Sequence, residues 1–272
     1  MKTLHIKPKV LVFSGYGLNC EEETKFAFEL AGASADIVHI NDLIDGIKKI
    51  KNYDILAFPG GFSYGDDTGS GKAYANKVRN HLSKDLELFV SQQKLVIGIC
   101  NGFQILTNLG LLPGALTHND GARYIDRWVD IKVETQQGAE NNKNGRPSPW
   151  LKNMGTISLP IAHGEGKYYA DAKTLAELNK KGAIAARYAK GEACAYLDLP
   201  YNPNGALEDI AAVTSHNGRV LGMMPHPERA LFVTQLPNFT FIREQSKRIG
   251  KKLPEHGPGF QIFKNAIDYF QK

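Results

Sequence analysis

Cysteine is scarce in this sequence. Its 272 residues include only three, Cys20, Cys100 and Cys194. An odd number at such wide spacing offers neither a disulfide framework nor the close pairs that bind structural zinc. The three residues therefore fit a protein of a reducing compartment, and the pattern leaves open whether one of them is a reactive thiol.

Long apolar runs are also missing, since no segment approaches the length that spans a bilayer. The apolar N-terminal stretch is interrupted by Pro8 and Lys9 and is followed by no small-residue cleavage site, so it does not predict a secretion signal. The net charge is a mild +5, and its densest basic stretch, residues 247–252, is too short to indicate nucleic-acid binding. We therefore expect a cytoplasmic protein whose partners are neither membranes nor nucleic acids.

No internal repeat and no phosphate-binding loop of the P-loop type occurs. The Gly71–Lys72 pair is followed by Ala73 and lacks the glycine that the motif requires five residues before Gly71. With 42% apolar and 22% charged residues, the composition is ordinary for a globular protein. The length suffices for one large α/β domain or two small ones.

What the sequence does contain is an alternation of β-prone and helical segments. We predict strands at residues 9–13, 36–40, 53–58 and 95–99, and helices at 21–31, 83–93 and from Gly102 onward. This alternation is typical of βαβ units and predicts an α/β fold, a doubly wound, mostly parallel sheet with flanking helices.

The second half is richer in strands, which we predict at residues 128–133, 156–161, 183–188, 210–215 and 220–224. Residues 138–150 are polar and rich in Gly, Asn and Pro, so we expect an exposed loop there. Residues 234–259 look loop-like, and residues 261–270 form a predicted amphipathic helix.

The stretch KLVIGICNGFQIL, residues 94–106, indicates a reactive cysteine. Gly98 and Gly102 flank Cys100 at two residues on either side, which is the spacing of a nucleophile elbow between a strand and a helix. Small flanking residues let the strand end and the helix start approach each other. The helix N-terminus favours the thiolate, so we interpret Cys100 as a nucleophile rather than as an ordinary buried cysteine.

A second stretch, MMPHPERA at residues 223–230, places His226 and Glu228 two residues apart after an apolar strand. Because Pro227 favours extended backbone, both side chains can face one way. A histidine oriented by a carboxylate is what a cysteine nucleophile needs for proton transfer. A lone His-x-Glu is more often a pair of exposed side chains without a function, but its position at a strand end favours a functional pair. His163 and Glu165, in IAHGEGKYY, suggest a second functional loop.

Two glycine-rich loops permit more than one interpretation. PGGFSYGDD, residues 59–67, either offers backbone N–H groups to an anion or is a plain turn. SGYGLNC, residues 14–20, approximates a dinucleotide-binding fingerprint and raises the alternative of an oxidoreductase. That signal is weak, because Cys20 occupies the third glycine position and the expected acidic residue after the second strand is displaced to Asp42.

Taken together, these stretches resemble the class I (triad-type) glutamine amidotransferases, and within them the glutaminase subunits of phosphoribosylformylglycinamidine synthase. The matching stretches are PGGFSYGD, GICNGFQIL, LLPGAL, IAHGEGKYYA, NPNGALEDIAAV and GRVLGMMPHPERA, in family order over about residues 9–231. The resemblance implies a single amidotransferase domain over residues 1–232. It also implies a C-terminal extension, residues 233–272, packed on or beside that domain.

The resemblance further implies roles for individual residues. Cys100 is similar to the family's nucleophile, His226 to its general acid and base, and Glu228 to the orienting carboxylate. Gly61 and the backbone N–H of Asn101 would form the oxyanion hole, and Gln104 would help to hold the substrate glutamine. We expect His163 and Glu165 to contact a partner or the ammonia path, and we expect Cys20 and Cys194 to be replaceable.

The implied reaction is hydrolysis of L-glutamine to glutamate and ammonia through a γ-glutamyl thioester. The ammonia would pass to a synthetase subunit, accompanied by a small accessory subunit, which uses ATP and Mg²⁺ to make formylglycinamidine ribonucleotide in purine biosynthesis. No cofactor or metal is expected in this chain. The loop at residues 14–24, the stretch DDTGSGKAYA, the middle loop and residues 233–272 depart from the family pattern. Three rivals remain: a glutaminase or γ-glutamyl hydrolase of another pathway, the oxidoreductase, and a catalytically silent scaffold.

Overall fold

The computed structural model describes residues 7–134 and 148–271. The first half alternates strands and helices as predicted: β1 (Lys9–Ser14), α1 (Glu21–Leu30), β2 (Ser34–His39), α2 (Ile40–Ile44), β3 (Ile55–Phe58), α3 (Lys72–Ser91), β4 (Leu95–Ile99) and α4 (Asn101–Asn108). β3 and β4 consist of apolar residues and glycine and are buried along their whole length. Such continuous apolar runs are typical of central parallel strands covered on both faces.

The second half contributes β5 (Ala115–Thr117), β6 (Ile125–Val133), β7 (Thr156–His163), β8 (Lys167–Tyr169), α5 (Ala172–Lys181), β9 (Ile184–Ala189), α6 (Glu192–Leu197), β10 (Ile210–Ser215), β11 (Val220–Met223), α7 (Phe239–Arg248) and α8 (Phe260–Phe270). Within the described residues, nine strands form one sheet in the order β2-β1-β3-β4-β11-β10-β9-β6-β7, and β5 pairs with β8 separately.

The sheet confirms the predicted α/β class and has two parts. In the order of the sheet, the first five strands pair in parallel: β2, β1, β3, β4 and β11. The remaining four, β10, β9, β6 and β7, pair antiparallel to their neighbours. β4 and β11 are adjacent parallel strands, so their carboxyl ends lie at the same edge of the sheet. The segments that follow these two strands carry Cys100 and His226, which is where a doubly wound fold places its ligands.

The C-terminal segment contains one buried and one exposed helix. α8 packs on α1 through an edge-to-face contact of Phe263 with Phe28, whose ring centroids lie 4.9 Å apart. Asn265 of α8 donates to the backbone oxygens of Trp150 and Lys152. The helix α8 therefore shares its apolar face with the core that covers the sheet.

Several predicted elements differ from the structure. α3 begins at Lys72 rather than at residue 83, because Tyr74, Ala75 and Val78 already pack at helical spacing. α7 lies within the segment that looks loop-like, and it has no buried residue, so no apolar stripe reveals it in the sequence. Trp150, in the predicted exposed loop, is fully buried.

The rest of that predicted loop, residues 138–147, and the start of the N-terminal stretch, residues 1–6, lie outside the described residues. In the part of the chain that the structure describes, no helix combines the length and the apolar character that crossing a bilayer requires.

Candidate active site

Cys100 occupies the elbow that its flanking glycines predict. β4 ends at Ile99, α4 begins at Asn101, and Cys100 between them has φ 51° and ψ −106°. A Cβ on Gly98 would lie 2.5 Å from the Gly102 oxygen, and one on Gly102 would lie 1.9 Å from the Phe58 oxygen. Both glycines are thus required by packing, and the strained backbone at Cys100 persists because its surroundings fix it.

The thiol of Cys100 lies at the meeting point of three strands. The backbone N–H of Cys100 donates to the backbone oxygen of Met223 at the end of β11, at 2.8 Å. Its sulfur lies 3.7 Å from the backbone oxygen of Ala162 in β7. The residue is 5% exposed, so the thiol is shielded from water but lies at the carboxyl edge of the sheet.

His226 and Glu228 form a buried pair directly after β11. The backbone N–H of His226 donates to Pro160 in β7, and a short helical turn over Pro227–Arg229 brings the carboxylate back onto the imidazole. The His226 Nδ1 atom lies 2.5 Å from the Glu228 Oε1 atom, and each residue is 2% exposed. The structure therefore brings the predicted His-x-Glu pair into contact, through a helical turn and not through the extended backbone that the sequence predicts.

The charge state of His226 follows from these neighbours. Burial lowers the pKa of the imidazole, but the Glu228 carboxylate and the Cys100 sulfur outweigh it and raise that pKa well above its ordinary value. The other ring nitrogen, Nε2, is buried and makes no hydrogen bond within the described residues.

The turn that carries Gly61 packs against the loop after β1. The Gly60 backbone oxygen accepts hydrogen bonds from the N–H groups of Asn19 at 3.2 Å and Cys20 at 3.1 Å. A Cβ on Gly60 would lie 2.6 Å from the Cε1 atom of His226, so Gly60 lies directly against the imidazole ring. A trans peptide points its N–H away from its C=O, so the N–H of Gly61 is directed away from Asn19 and Cys20.

Asn101 and Gln104, on the first turn of α4, are both buried and joined to each other. The Asn101 side chain donates to Gln104 Oε1 at 2.7 Å and accepts from the N–H of Ser63 at 3.3 Å. The Gln104 side chain donates to the Glu165 backbone oxygen at 2.6 Å. Gln104 therefore fixes the loop at Glu165 in addition to any contact with a substrate.

His163 lies in the interior and is 2% exposed. Its Nδ1 atom lies 3.0 Å from Asn119 Oδ1, and its Nε2 atom lies 3.5 Å from Asn204 Nδ2. Burial, together with the nearby imidazole of His226, lowers the pKa of His163 to about 3. His163 is therefore a neutral residue that fixes a loop, and its side chain is not available at the surface.

Glu165 differs from His163 because its side chain is 18% exposed. Its Oε2 atom accepts from the backbone N–H of Ser70 at 3.3 Å, and its Oε1 atom lies 3.9 Å from His118. The carboxylate thus reaches toward the segment that follows the PGGFSYGDD turn and not toward His163.

Four residues of this region are missing from the site that the sequence predicts: Cys20, Asn119, Asn204 and Arg229. Asn119 and Asn204 join distant segments around His163, and no local pattern reveals such a convergence. Arg229 donates to the sulfur of Cys20 at 3.0 Å. The one available signal for Cys20 is its position at the third glycine of SGYGLNC, which a dinucleotide interpretation does not explain.

The same loop leaves little room for a dinucleotide. A Cβ on Gly15 would lie 2.4 Å from His39 and one on Gly17 would lie 2.5 Å from the Phe62 oxygen, so its glycines pack against the protein itself. The donor atoms of Cys20, His226 and Glu228 lie within 4.8 Å of one another, a set capable of holding a metal. The guanidinium of Arg229 beside the sulfur opposes a cation there, and Glu228 already bonds to His226.

Comparison with known proteins gives a consistent family. Residues 7–270 match the model of the CobB/CobQ-like glutamine amidotransferase domain. A phosphoribosylformylglycinamidine synthase subunit PurQ of Methanococcus maripaludis is 48% identical, over 99% of this chain and all of the relative. The PurQ subunit of Dehalococcoides mccartyi is 35% identical over 97% of this chain and 98% of its own length.

Solved structures agree with this. The structure of PurLQS from Thermotoga maritima includes a chain that superposes with a TM-score of 0.68 at 31% identity, covering 97% of this chain and all of that one. A protein described as part of a GMP synthase, from Thermoplasma acidophilum, matches with a TM-score of 0.55 at 13% identity, covering 98% of each chain, which shows a shared fold alone.

Proposed function

The chain belongs to the CobB/CobQ-like glutamine amidotransferase family, and from this premise we propose that it is the glutaminase subunit of phosphoribosylformylglycinamidine synthase. It hydrolyses L-glutamine to glutamate and ammonia for de novo purine biosynthesis. Relatives named as PurQ subunits match nearly the whole chain, which supports this assignment over a glutaminase of another pathway. The observation that carries the chemistry is the buried His226–Glu228 pair beside the Cys100 elbow.

The reaction proceeds in two halves. The Cys100 sulfur attacks the side-chain carbonyl of glutamine and gives its proton to His226. His226 then protonates the amide nitrogen, which leaves as ammonia while the γ-glutamyl thioester forms. Water, deprotonated by His226, then releases glutamate and restores the thiol. Glu228 fixes the ring orientation and stabilises its charged form, because it is 2.5 Å from Nδ1.

The oxyanion formed in each half is assigned to the backbone N–H groups of Gly61 and Asn101. This assignment is supported by the Gly60 carbonyl, which two hydrogen bonds hold in one orientation. Each such donor contributes roughly 10²–10³ in rate. Gln104, on the turn that follows Cys100, is proposed to contact the substrate glutamine while it anchors Glu165.

Two further proteins are proposed as partners, a synthetase and a small accessory component, as the relatives' names and the PurLQS assembly suggest. ATP and Mg²⁺ belong to the synthetase in this proposal, and this chain needs no cofactor. A cytoplasmic location is proposed because all three cysteines are free thiols, which fits a reducing compartment. Residues 1–232 are proposed as the amidotransferase domain and residues 233–272 as its extension, supported by the packing of α8 on α1.

The direct test is the Cys100→Ala variant. We expect it to lose glutamine hydrolysis and to keep its fold, because the elbow depends on its glycines and not on the sulfur for packing. The matched control is Cys194→Ala, which removes a buried thiol of α6. The backbone N–H of Cys194 donates to the side chain of Asp130 in β6, and this bond is kept in the variant. Ammonia release by Cys100→Ala above a trace would refute the proposed function.

A further inference from the structure

We propose that Cys20 is a positioning residue of the glutaminase site, which holds His226 and the Gly60–Gly61 peptide in fixed places relative to each other. This inference rests on the proposed function. It replaces the expectation that Cys20 is as dispensable as Cys194. Both thiols are buried, but only Cys20 lies against the catalytic histidine.

The side chain of Cys20 lies beside His226 and Gly60. A Cβ built on Gly60 would lie 2.6 Å from Cε1 of His226 and 3.1 Å from the sulfur of Cys20. The thiol, the imidazole and Gly60 therefore meet at one point with no room for a further carbon. Removing the sulfur would leave a gap beside the ring, and a buried ring moves into such a gap.

The backbone of Cys20 holds the Gly60–Gly61 peptide. Its N–H donates to the Gly60 oxygen, together with the N–H of Asn19. These two bonds fix the peptide whose other end carries the N–H of Gly61. Since Cys20 also stands at the N-terminus of α1, the orientation of this peptide is tied to the position of a packed helix. One residue thus contacts the base and supports the proposed oxyanion donor.

Arg229 completes the arrangement. This residue directly follows Glu228, donates to the sulfur of Cys20 at 3.0 Å and lies 3.4 Å from the carboxylate of Glu23 in the first turn of α1. The turn that carries the catalytic pair is therefore fastened to α1 through Cys20. The Cys20 thiol also lies 3.8 Å from Asn19 Oδ1, to which it donates.

The chemistry of a thiol suits this role. Burial raises the pKa of Cys20, so the group is a neutral thiol and does not compete with Cys100 as a nucleophile. The titratable groups that face His226 are Glu228, Cys100, Cys20 and Tyr124, with the neutral His163 nearby. Cys20 adds bulk beside the ring without adding charge, and its polar contacts are with Asn19 and Arg229.

The test compares Cys20→Ala, Cys20→Ser and Cys194→Ala in the full chain, with saturating synthetase. The concentration of active sites is titrated with a glutamine-analogue alkylator, so that kcat is calculated per active site and unfolded protein does not lower it. For Cys20→Ala we expect kcat to fall by roughly tenfold to hundredfold, the cost of a misplaced catalytic group, with a smaller change in KM. Cys20→Ser keeps a small side chain that can donate to Asn19 and accept from Arg229, so it should stay within about threefold of the wild type. Cys194→Ala should match the wild type.

The pH profile separates positioning from a general structural role. If Cys20 holds the ring against Glu228, the basic limb of kcat/KM moves to lower pH in Cys20→Ala, because a loosened His226 loses part of its raised pKa. Wild-type kcat and an unmoved limb would overturn the inference while the proposed function stands, and so would an equal loss at every pH. Full activity of Cys100→Ala would instead overturn the proposed function.

Discussion

The molecule contains the same short pattern twice, with opposite outcomes. His226 and Glu228 follow one strand of the sheet, and His163 and Glu165 stand at the end of another. Both histidines are 2% exposed. Yet the pKa of His226 is raised well above its ordinary value, and that of His163 is lowered to about 3.

The difference lies in where each carboxylate points. After His226, Pro227 begins a tight helical turn that returns Glu228 onto the imidazole. After His163, a close approach of Gly166 to the ring, where a Cβ would lie 2.2 Å from Cε1, directs Glu165 away toward Ser70. A buried imidazole beside a carboxylate is held in its protonated form, and one surrounded by amides stays neutral.

The largest effect expected from breaking this contrast is on turnover. His226→Ala removes the proton shuttle and should lower kcat for glutamine hydrolysis by roughly 10²–10⁴. Glu228→Gln should cost less, because it only loosens ring orientation and tautomer control. His163→Asn should cost less still. A Glu228 variant more impaired than the His226 variant would mean that Glu228 is itself a proton donor or a structural anchor.

The difference in pKa between His226 and His163 can be reduced by changing the contact of Glu228 with His226. Glu228→Gln keeps the shape of the side chain but removes the carboxylate that raises the pKa of His226. Since the pKa of His226 then falls, the basic limb of the kcat/KM profile should move to lower pH. Glu165→Gln is the matched control, because its carboxylate contacts Ser70 and His118 and not His226, and it should leave the limb in place. Equal limbs in both variants would contradict the assignment of Glu228.

The loop at Glu165 is predicted to serve the partner or the ammonia path. Its partly exposed carboxylate contacts the turn before α3, whereas His163 holds the loop from inside. In the assembled complex, Glu165→Gln should therefore impair synthesis driven by glutamine more than synthesis driven by added ammonium salt. Equal loss with the two nitrogen sources would place the defect elsewhere.

The smallest effect concerns stability. His163 has a folded pKa of about 3 against an ordinary value of 6.5, so the unfolded chain binds a proton that the folded chain does not. The contribution of neutral His163 to the free energy of unfolding is therefore fully present above pH 6.5. It is lost as the pH falls toward 3, by at most about 1.4 kcal/mol per pH unit. The free energy of unfolding of His163→Gln should fall less than that of the wild type between pH 7 and pH 5, measured with urea. Parallel losses would show that His163 is protonated in the fold.

Local patterns predict the parts of the site that local geometry creates. Gly98 and Gly102 indicate the elbow because only glycine permits those contacts. Extended backbone through Pro227 is the wrong prediction, since a short helical turn over Pro227–Arg229 brings Glu228 onto His226. The positions of Cys20 and Asn204 could not be predicted, since their neighbours in space come from distant segments.

The same limit applies to the fold. The alternation of strands and helices predicts the parallel half, because each βαβ unit is local in sequence. The antiparallel order of β10, β9, β6 and β7 joins segments far apart, and α7 lacks the buried stripe by which helices are recognised.

The central claim, that Cys100 is the nucleophile which His226 and Glu228 serve, is tested most directly by peptide mass spectrometry. The full chain is mixed with a chloroketone analogue of glutamine, with and without excess glutamine, and its three cysteine peptides are compared. The account predicts one adduct, on Cys100, that glutamine suppresses and that His226→Ala slows. Labelling of Cys20 or Cys194 instead, or labelling of Cys100 that glutamine does not suppress, would contradict it.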